Sequence, residues 1–376
     1  MPTHDELINA VREHRLRRHW SQDELARRSG LSRAGVSAIE VGRLVPSTAA
    51  ALALAEALAV RVDMLFRLAR KAAGAPLWAW EPVRVPCRYW VAEVGGQVWR
   101  YPAEASPLGT VPHDGVIKAL DSGDPLFDGI ETGSRDWDAA EGGPTRTLVL
   151  ACCDPAVGLL AGPLSRLAGV RLIVLPRSSR SALELLGRGL VHVAGVHLSG
   201  PGLDDGPGAE DGNAQAVLAA LGDGYRLLRL ARWEEGIASL PALRLGSVAS
   251  ALAPDRRWVG REPGSGARQC LDALLGDRPA PEHLARDHRG VAEAVRSGWA
   301  DLGVCLRLAS EEAGLDFIPL RHEDYDLCYP AQLEDDPRLV ALREVVRSAP
   351  FRRALGGLPG YQAADTGEAR AVESGA

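Results

Sequence analysis

The stretch SQDELARRSGLSRAGVSAIEVGR, residues 21–43, carries the most specific structural signal in the chain. Ser21 and Glu24 form a capping-box pattern at the start of a short amphipathic helix, and Gly30 is suited to end that helix in a left-handed conformation. Ser32 can cap another helix two residues later. Two short helices joined by a glycine-containing turn predict a helix-turn-helix arrangement.

The sequence on both sides extends the helical pattern over residues 1–71. Apolar spacing predicts an earlier helix over residues 5–19, one that follows VPST at 45–48, and a last one through residues 64–68. Residues 1–71 carry a net charge of +4, which leaves −10 for the rest of the chain. This asymmetry is typical of a nucleic-acid-binding segment attached to an acidic body.

Residues 20–58 closely resemble the phage-repressor-like, xenobiotic-response-element (XRE) class of helix-turn-helix domains. The residues that stand where this class places them are Gln22, Gly30, Ser32, Ile39, Glu40, Gly42 and Arg43. The resemblance implies that a DNA phosphate is held at the start of the second helix and that the third helix enters the major groove. The implied DNA-binding residues are Gln22, Ser32, Arg33, Ala34, Ser37 and Arg43. Because the footprint of one such domain is small, we expect a homodimer on a two-fold repeated operator.

The composition predicts a multidomain globular protein. A hydrophobic fraction of 46% with 24% charged residues is ordinary for this class, and 376 residues leave room for two or three domains. The amphipathic start and the lack of a long apolar run lead us to expect a cytoplasmic protein. The six cysteines are scattered without a C-x-x-C pair, so no zinc site, disulfide framework or other cofactor is predicted.

Residues 72–146 are predicted to form a linker and a small β-rich connecting region. Gly95 and Gly96 separate two alternating segments, which predicts a hairpin, and we interpret Trp90 and Trp99 as packing residues. The acidic, glycine-rich residues 121–146 are predicted to be an exposed loop.

From residue 147 to 370, short apolar runs alternate with helical stretches, a pattern typical of an α/β domain with parallel strands. Three strand-to-helix loops place hydroxyls or backbone N–H groups at helix starts. These loops contain Asp154, then Ser178 and Ser179, and finally residues 264–266. Because helix N-termini carry unsatisfied N–H groups and partial positive charge, their convergence predicts an anion site.

Four segments of this region resemble the periplasmic-binding-protein-like substrate domain that occurs fused to helix-turn-helix domains. They are REPGSGARQCLDALL (261–275), HRGVAEAVRSGWADLGVCL (288–306), LDFIPLRHEDYDLCYP (315–330) and LPGYQAADTGE (358–368). The resemblance implies a two-lobed type II binding fold, and relatives of this shape bind molybdate or tungstate. The positions that it assigns to the ligand are Ser178, Ser179, Gly264, Ser265, Gly266, Arg268, Tyr325 and Asp326. Such receptors carry Ser or Thr after the first strand, where this chain has Cys153 and Asp154. The vicinal pair Cys152 and Cys153 leaves open a soft-metal or redox sensor, although one of two adjacent strand residues must point into the sheet packing.

The histidines do not predict a catalytic or metal centre. His192 and His197 are five apart in a strand-like run and therefore face opposite sides. We interpret each histidine as structural or exposed. No nucleophile or acid–base set stands out, so the protein is not expected to be an enzyme.

Together these features predict a multidomain protein, with an all-α helix-turn-helix head and a two-lobed α/β body. The favoured function is a one-component transcription regulator that binds operator DNA and senses a small anion, with molybdate or tungstate as the first candidates. Asp154, with Trp258 and Tyr325 near the predicted cleft, leaves open an organic anion or a pterin-like metabolite. An enzyme of cofactor metabolism with a DNA-binding head, or a body that serves only for dimerisation, are further alternatives.

Overall fold

The computed structural model describes residues 7–68, 76–118, 143–198 and 211–373. The chain divides into two units, a head, Met1–Ala75, and a body, Pro76–Ala376. The predicted loop over residues 121–146 lies outside the described residues as far as residue 142, and Pro144–Arg146 form a 3-10 turn. Within the described ranges, no helix has both the length and the apolar character that a membrane span requires.

The described residues of the head, 7–68, form five helices and two short strands. They are α1 (Val11–Arg17), α2 (Gln22–Ser29), α3 (Arg33–Glu40), α4 (Thr48–Ala57), α5 (Val62–Leu65), β1 (Leu7–Asn9) and β2 (Phe66–Leu68). The two strands pair antiparallel. The predicted first helix is therefore wrong at residues 7–9, and the predicted last helix ends at Leu65. Pairing as strands lets these two chain ends satisfy each other's backbone hydrogen bonds, which a frayed helix end cannot do.

The helices of the head begin and end as predicted between residues 21 and 47. Ser21, Ser32 and Ser47 cap α2, α3 and α4, each by accepting a hydrogen bond from the backbone amide three residues on. Gly30 ends α2 with a φ of 70°, where a side chain would be strained. The core between the helices is apolar and consists mainly of Val11, Leu25, Val36, Ile39, Leu54, Leu58 and Leu65.

The connecting region forms a four-stranded sheet that belongs to the body. Its strands are β3 (Leu77–Trp78), β4 (Cys87–Val94), β5 (Gln97–Pro102) and β6 (Gly115–Ile117), in the order β3-β5-β4-β6. The predicted hairpin is present, since β4 and β5 pair antiparallel across Gly95 and Gly96. Trp90 is 2% exposed and packs in one apolar cluster with the first strands of the larger sheet. The predicted packing role of Trp90 is thus confirmed.

A ten-stranded sheet organises the rest of the body. Its strands are β7 (Thr147–Cys152), β8 (Arg171–Pro176), β9 (Val193–Val196), β10 (Tyr225–Ser239), β11 (Trp258–Arg261), β12 (Leu284–Ala285), β13 (Leu302–Leu306), β14 (Asp316–Pro330), β15 (Tyr361–Gln362) and β16 (Ala369–Val372). The main order is β12-β11-β13-β10-β14-β9-β7-β8, and β15 and β16 also pair with β10.

Nine α-helices accompany this sheet. They are α6 (Ala161–Ala168), α7 (Ser179–Gly187), α8 (Gly212–Leu221), α9 (Val248–Ala251), α10 (Gly266–Leu275), α11 (His288–Arg296), α12 (Arg307–Glu312), α13 (Pro337–Arg347) and α14 (Ala349–Gly356) within the described part of the body. The sequence predicts one last helix where α13 and α14 stand. Ser348 interrupts it, because its extended backbone (ψ 140°) caps α14 and precedes Ala349 and Pro350.

The sheet contains two lobes joined by two long strands. In the first lobe β7 pairs parallel with β8 and β9, and in the second β11 pairs parallel with β12 and β13. β10 and β14 are 15 residues each, pair with one another along their length, and connect the lobes. The prediction of two separate strands over 315–330 is wrong, because the polar residues 321–324 of β14 pair in regular register with residues 232–235 of β10, which carry the strand through.

Candidate functional site

The exposed side of α3 carries most of the residues predicted to bind DNA. Ser32, Arg33, Ala34 and Arg43 are exposed, and Ser37 is half-buried. The hydroxyl of Ser32 is engaged as the cap of α3. The Arg33 side chain is 69% exposed, and its Nε lies 3.6 Å from a carboxylate oxygen of the equally exposed Asp23. Such an exposed pair is weak, so the guanidinium of Arg33 can exchange it for a nucleic acid contact.

A buried ion pair holds the first three helices of the head in place. Arg15 donates two hydrogen bonds to Glu40, at 2.6 and 3.0 Å, and the side chain of Glu40 is 1% exposed. Gln22 donates from Nε2 to Glu40 at 2.9 Å. Gln22, predicted to hold a phosphate, is therefore fixed at the start of α2 by α3. No sequence pattern indicated the role of Arg15.

In the body, the carboxyl ends of the parallel strands of both lobes meet at a buried polar cluster. His197, directly after β9, lies at its centre. Its Nδ1 is 2.8 Å from Oε2 of Glu323, its Nε2 is 3.0 Å from Sγ of Cys153, and its backbone N–H donates to Ser179 at 3.1 Å. The His197 ring also lies 5.0 Å from that of Trp233. We call the space around these side chains the interlobe chamber.

A glycine of the second lobe, Gly266, packs directly against His197 of the first lobe. A Cβ built on Gly266 would collide with the ring and carbonyl oxygen of His197, so only glycine permits this approach. Gly264, with a φ of 92°, has Arg180 of the first lobe 2.9 Å from its ideal Cβ position. The predicted glycines of the 264–266 loop thus serve a close contact between lobes.

Several buried polar atoms of the chamber have no hydrogen-bond partner among the described residues. These atoms are Nη1 and Nη2 of Arg261, both ring nitrogens of His288, Nε1 of Trp233, Oε1 of Glu235 and Oδ2 of Asp154. All five residues are at most 1% exposed. Burying a polar group without a partner costs about 1–3 kcal/mol, and more for a charge. Within the described residues, these atoms remain available to a bound small molecule or to water.

The charges around the chamber are of both signs. Arg321 bonds to Glu235 at 3.2 Å and contacts Glu323 closely. Burial and the neighbouring Glu323 raise the pKa of Glu235 to about 7. Burial also raises the pKa of Asp154 to about 6, although the Tyr361 hydroxyl and the Ala156 amide oppose this by bonding to its carboxylate.

The two central histidines differ in protonation. Burial opposes a charge on His197, but Cys153 and Glu323 outweigh it and raise its pKa well above the ordinary value. Burial, assisted by the charge of Arg261, lowers the pKa of His288 well below the ordinary value. His288 is therefore a neutral ring with one N–H and one free lone pair.

The predicted hydroxyls border the chamber, but their hydrogen bonds are largely used within the protein. Ser265 caps α10 by accepting from Arg268 N and donates to the carbonyl of Glu262 at 3.0 Å. Ser179 accepts from His197, and Ser178 donates to Ser181 at 3.2 Å. Both Ser178 and Ser181 line an open groove of about 480 Å³.

Three other predicted residues contact neighbours of their own. Arg268 donates from Nε to Asp272 at 2.7 Å and from Nη1 to the carbonyl of Arg261 at 3.3 Å. Asp154 caps the turn after β7, and Tyr325 stacks on Trp233 with ring centroids 4.3 Å apart. The structure therefore brings Asp154, Tyr325 and the 264–266 loop together around the chamber.

Asp326 lies on the opposite side of β14 and forms a separate ion cluster. Its carboxylate accepts hydrogen bonds from Arg229 at 2.8 Å, from Arg370 at 2.7 and 3.0 Å, and from Asn213 at 2.7 Å. The side chain of Asp326 is fully buried. These internal hydrogen bonds already satisfy the Asp326 carboxylate, and its predicted ligand role stays a prediction.

Sequence reasoning missed most of the chamber. Apart from Cys153, which the resemblance placed after the first strand, its unforeseen members are His197, Trp233, Glu235, Arg261, His288, Arg321 and Glu323. A usable signal existed for two of them, since His197 and Arg261 follow or end strands just before helical stretches, where α/β folds bind ligands. As predicted, His192 does not join His197: it bonds to Val149 N and Glu93 O instead.

The two-lobed body with a polar chamber between its lobes defines a small-molecule-binding domain, and the head defines a DNA-binding domain. A family model described as "PBP superfamily domain" matches residues 161–347, and a helix-turn-helix model matches residues 11–65. The chain belongs to the PBP superfamily and carries an XRE-type helix-turn-helix domain. This combination fits a ligand-sensing DNA-binding regulator, and neither family is an enzymatic one.

Two uncharacterised bacterial proteins are related in sequence. The chain is 36% identical over 121 residues to YvgK of Bacillus subtilis (strain 168), covering 30% of this chain and 39% of YvgK. It is also 36% identical over 86 residues to a protein in the 5′ region of a ferredoxin gene of Clostridium pasteurianum, covering 22% of this chain and 73% of that protein. The match therefore spans well under half the length of YvgK.

Similar solved structures include binding proteins of low sequence identity. PhnD1 from Prochlorococcus marinus, in complex with methylphosphonate, has a TM-score of 0.41 at 13% identity and covers 59% of this chain and 93% of its own. The tungstate ABC transporter structure from Geobacter sulfurreducens has a TM-score of 0.41 at 14% identity, with coverages of 55% and 95%.

Proposed function

We propose that this protein is a one-component transcription regulator. The head binds operator DNA as a homodimer, and the body binds a small anion in the interlobe chamber. Closure of the lobes around the ligand changes the spacing of the two heads. Coupling of the usual size, about 1–3 kcal/mol, would change operator affinity about 5- to 150-fold.

The observation that carries this proposal is the side chain of Arg261. Arg261 is 1% exposed, yet both of its terminal nitrogens lack a partner among the described residues. Its Nε has only a long contact, 3.4 Å, with the half-exposed Glu262. A guanidinium is always charged and is rarely buried without an anion. We therefore assign Arg261 as the residue that pairs with the anion.

The first candidates for the anion are molybdate and tungstate. Thermal unfolding of the purified full-length protein is expected to shift upward with one of them and not with sulfate or phosphate. A ligand at 100 times its dissociation constant stabilises by about 2.7 kcal/mol. Equal small shifts with all four ions would indicate a general salt effect and contradict a specific oxyanion site.

An organic anion is the second candidate, and one observation favours it. Oε1 of Glu235 and Oδ2 of Asp154 are buried acceptors without a described partner. An organic anion that also carries N–H or O–H groups would satisfy them, whereas a tetrahedral oxyanion would not. A shift produced by such metabolites and absent with the oxyanions would select this candidate.

Arg33 is expected to read the operator. Replacing Arg33 with alanine should weaken specific operator binding by about 1–3 kcal/mol, or about 5- to 150-fold, and weaken non-specific binding much less. Arg27, exposed on α2 and paired with Glu24 at 2.7 Å, provides the matched control. The measurement is a titration of operator and scrambled DNA at one fixed salt concentration. An equal loss of affinity for both DNAs would show that Arg33 contacts phosphates and does not read bases.

A further inference from the structure

Three potential metal-ligand atoms converge inside the chamber. The thiol of Cys153 and ring nitrogens of His197 and His288 all lie within 4.8 Å of one another, and the three side chains are buried. They come from three separate places: the end of β7, the end of β9 and the first residue of α11. One thiolate and two imidazoles form a donor set that suits Zn²⁺ and other borderline-soft divalent ions.

The carboxylate of Glu323, on the side of the ring away from Cys153, fixes the orientation of His197. Glu323 is 2.8 Å from Nδ1, so the N–H of His197 lies on that side and Nε2 faces Cys153 Sγ at 3.0 Å. Metal-binding histidines characteristically have such a partner, which fixes the tautomer and increases the basicity of the ligating nitrogen. Glu323 itself is held by Arg321. The structure thus aims Nε2 at Cys153 before any metal arrives, and metal binding would release the proton that the raised pKa of His197 places on this nitrogen.

His288 supplies an independent observation. Its ring is fully buried, and neither nitrogen has a hydrogen-bond partner in the part of the chain that the structure describes. The ring lies 5.7 Å from that of His197, centroid to centroid. A buried imidazole with both nitrogens unpartnered is rare in proteins, because each nitrogen loses its hydrogen bonds to water on burial and gains none in the protein. A metal ion at the shared position would satisfy one of them.

We propose that Cys153, His197 and His288 bind one divalent transition-metal ion of the zinc type. Zn–S distances of about 2.3 Å and Zn–N distances of about 2.0–2.1 Å place sulfur and nitrogen about 3.5 Å apart in a tetrahedron. Cys153 and His197 therefore need to separate by about 0.5 Å, which a small side-chain rotation provides. The three ligands leave the fourth position open toward the chamber.

The alternative set of His197, Glu235 and Glu323 is less suitable for a metal. These three also lie within 4.8 Å of one another, but Arg321 bonds to both carboxylates. A metal there would have to displace a buried guanidinium. The charges instead indicate what occupies the open position of the Cys153 site. A divalent ion with one thiolate ligand has a net charge of +1. An anion beside Arg261 would neutralise that charge at the open position, and this statement alone rests on the proposed function.

The test is titration of chelator-treated, reduced full-length protein with Co²⁺, with no anion or DNA added. We expect one ion per chain, visible d–d bands of a four-coordinate ion, and a near-ultraviolet thiolate-to-cobalt charge-transfer band that Zn²⁺ removes by displacement. Cys153→Ser should abolish the charge-transfer band. Cys328→Ala, at a buried cysteine outside the cluster, should leave it unchanged, and circular dichroism checks that each variant is folded.

Variants at His288 and Glu323 complete the test. His288→Ala should weaken Co²⁺ binding, whereas the same change at the exposed His322 should not. Glu323→Gln should lower metal affinity about 10- to 100-fold and keep the charge-transfer band, because Glu323 positions a ligand and is not one. No stoichiometric Co²⁺ binding, or a charge-transfer band that survives in folded Cys153→Ser, would overturn the metal site. Because the titration contains no anion, neither result tests the regulator proposal, which the anion-binding assay tests separately.

Discussion

Replacement of Arg261 by methionine is expected to abolish the response to the anionic ligand without weakening the ligand-free protein. The variant removes a buried guanidinium whose terminal nitrogens have no partner among the described residues, so its removal relieves an unfavourable burial. The anion then loses the guanidinium that is proposed to pair with it. Truncating one side of a buried charge pair costs about 2–5 kcal/mol, or about 30- to 5,000-fold in affinity.

Calorimetry with whichever anion stabilises the wild-type protein measures this loss. Arg257 is the matched control, because it precedes Arg261 by four residues but is 60% exposed and pairs with Asp301 at the surface. Arg257→Met should bind the ligand as the wild type does. An Arg261→Met protein that is less stable without ligand, yet binds the anion normally, would show that the guanidinium is structural and that the anion lies elsewhere.

The second large effect is expected at Asp326. Asp326→Asn removes the charge that faces Arg229 and Arg370, so two guanidinium groups lose their buried counter-ion. Breaking a buried ion pair from one side costs about 3–5 kcal/mol. Chemical denaturation of the ligand-free protein should show this loss in the body. Asp324→Asn is the control, because Asp324 also contacts Arg229, at 2.7 Å, but is 46% exposed and should contribute less than about 1 kcal/mol.

Asp326 also makes stability depend on pH in a defined direction. Hydrogen bonds and charge from Arg370 and Arg229 outweigh burial and lower the pKa of Asp326 below its ordinary value. A lowered folded-state pKa stabilises the protein above the unfolded-state pKa, and this contribution is lost as the pH falls through the folded-state value. Asp326→Asn should therefore flatten the acid side of the stability curve. An unchanged stability with lost ligand binding would instead restore the ligand role that the sequence predicted.

The head was largely predictable because its structure depends on local signals. Serine caps, Gly30 and apolar spacing act within a few residues of one another, and each is visible in the sequence. The errors at residues 7–9 and 66–68 have the opposite origin. Residues 7–9 and 66–68 pair with each other although almost the whole sequence of the head lies between them. No local pattern reveals which distant segment will become a strand partner.

The parallel strands of the body and the loops after them were also predictable, but the contents of the chamber were not. β10 was not predicted, because RLLRLARWEEGIAS mixes charged and apolar residues where a buried strand normally would not. Glu235 is buried there only because Arg321, 86 residues away in sequence, faces it. His288 and Arg261 were read as ordinary polar residues, since their burial follows from the meeting of two lobes rather than from their own neighbours in the chain.

The strands β10 and β14 both join the lobes and carry Trp233, Glu235, Arg321, Glu323 and Tyr325 of the chamber. This arrangement has a consequence for anyone who would turn the body into a biosensor. A substitution on these strands changes ligand preference and the stiffness of the joint together, so recognition and signal size cannot be tuned separately there. Ser178 and Ser181, which line the groove of about 480 Å³, lie outside both strands. They are the better starting points for redesigning specificity while the response is preserved.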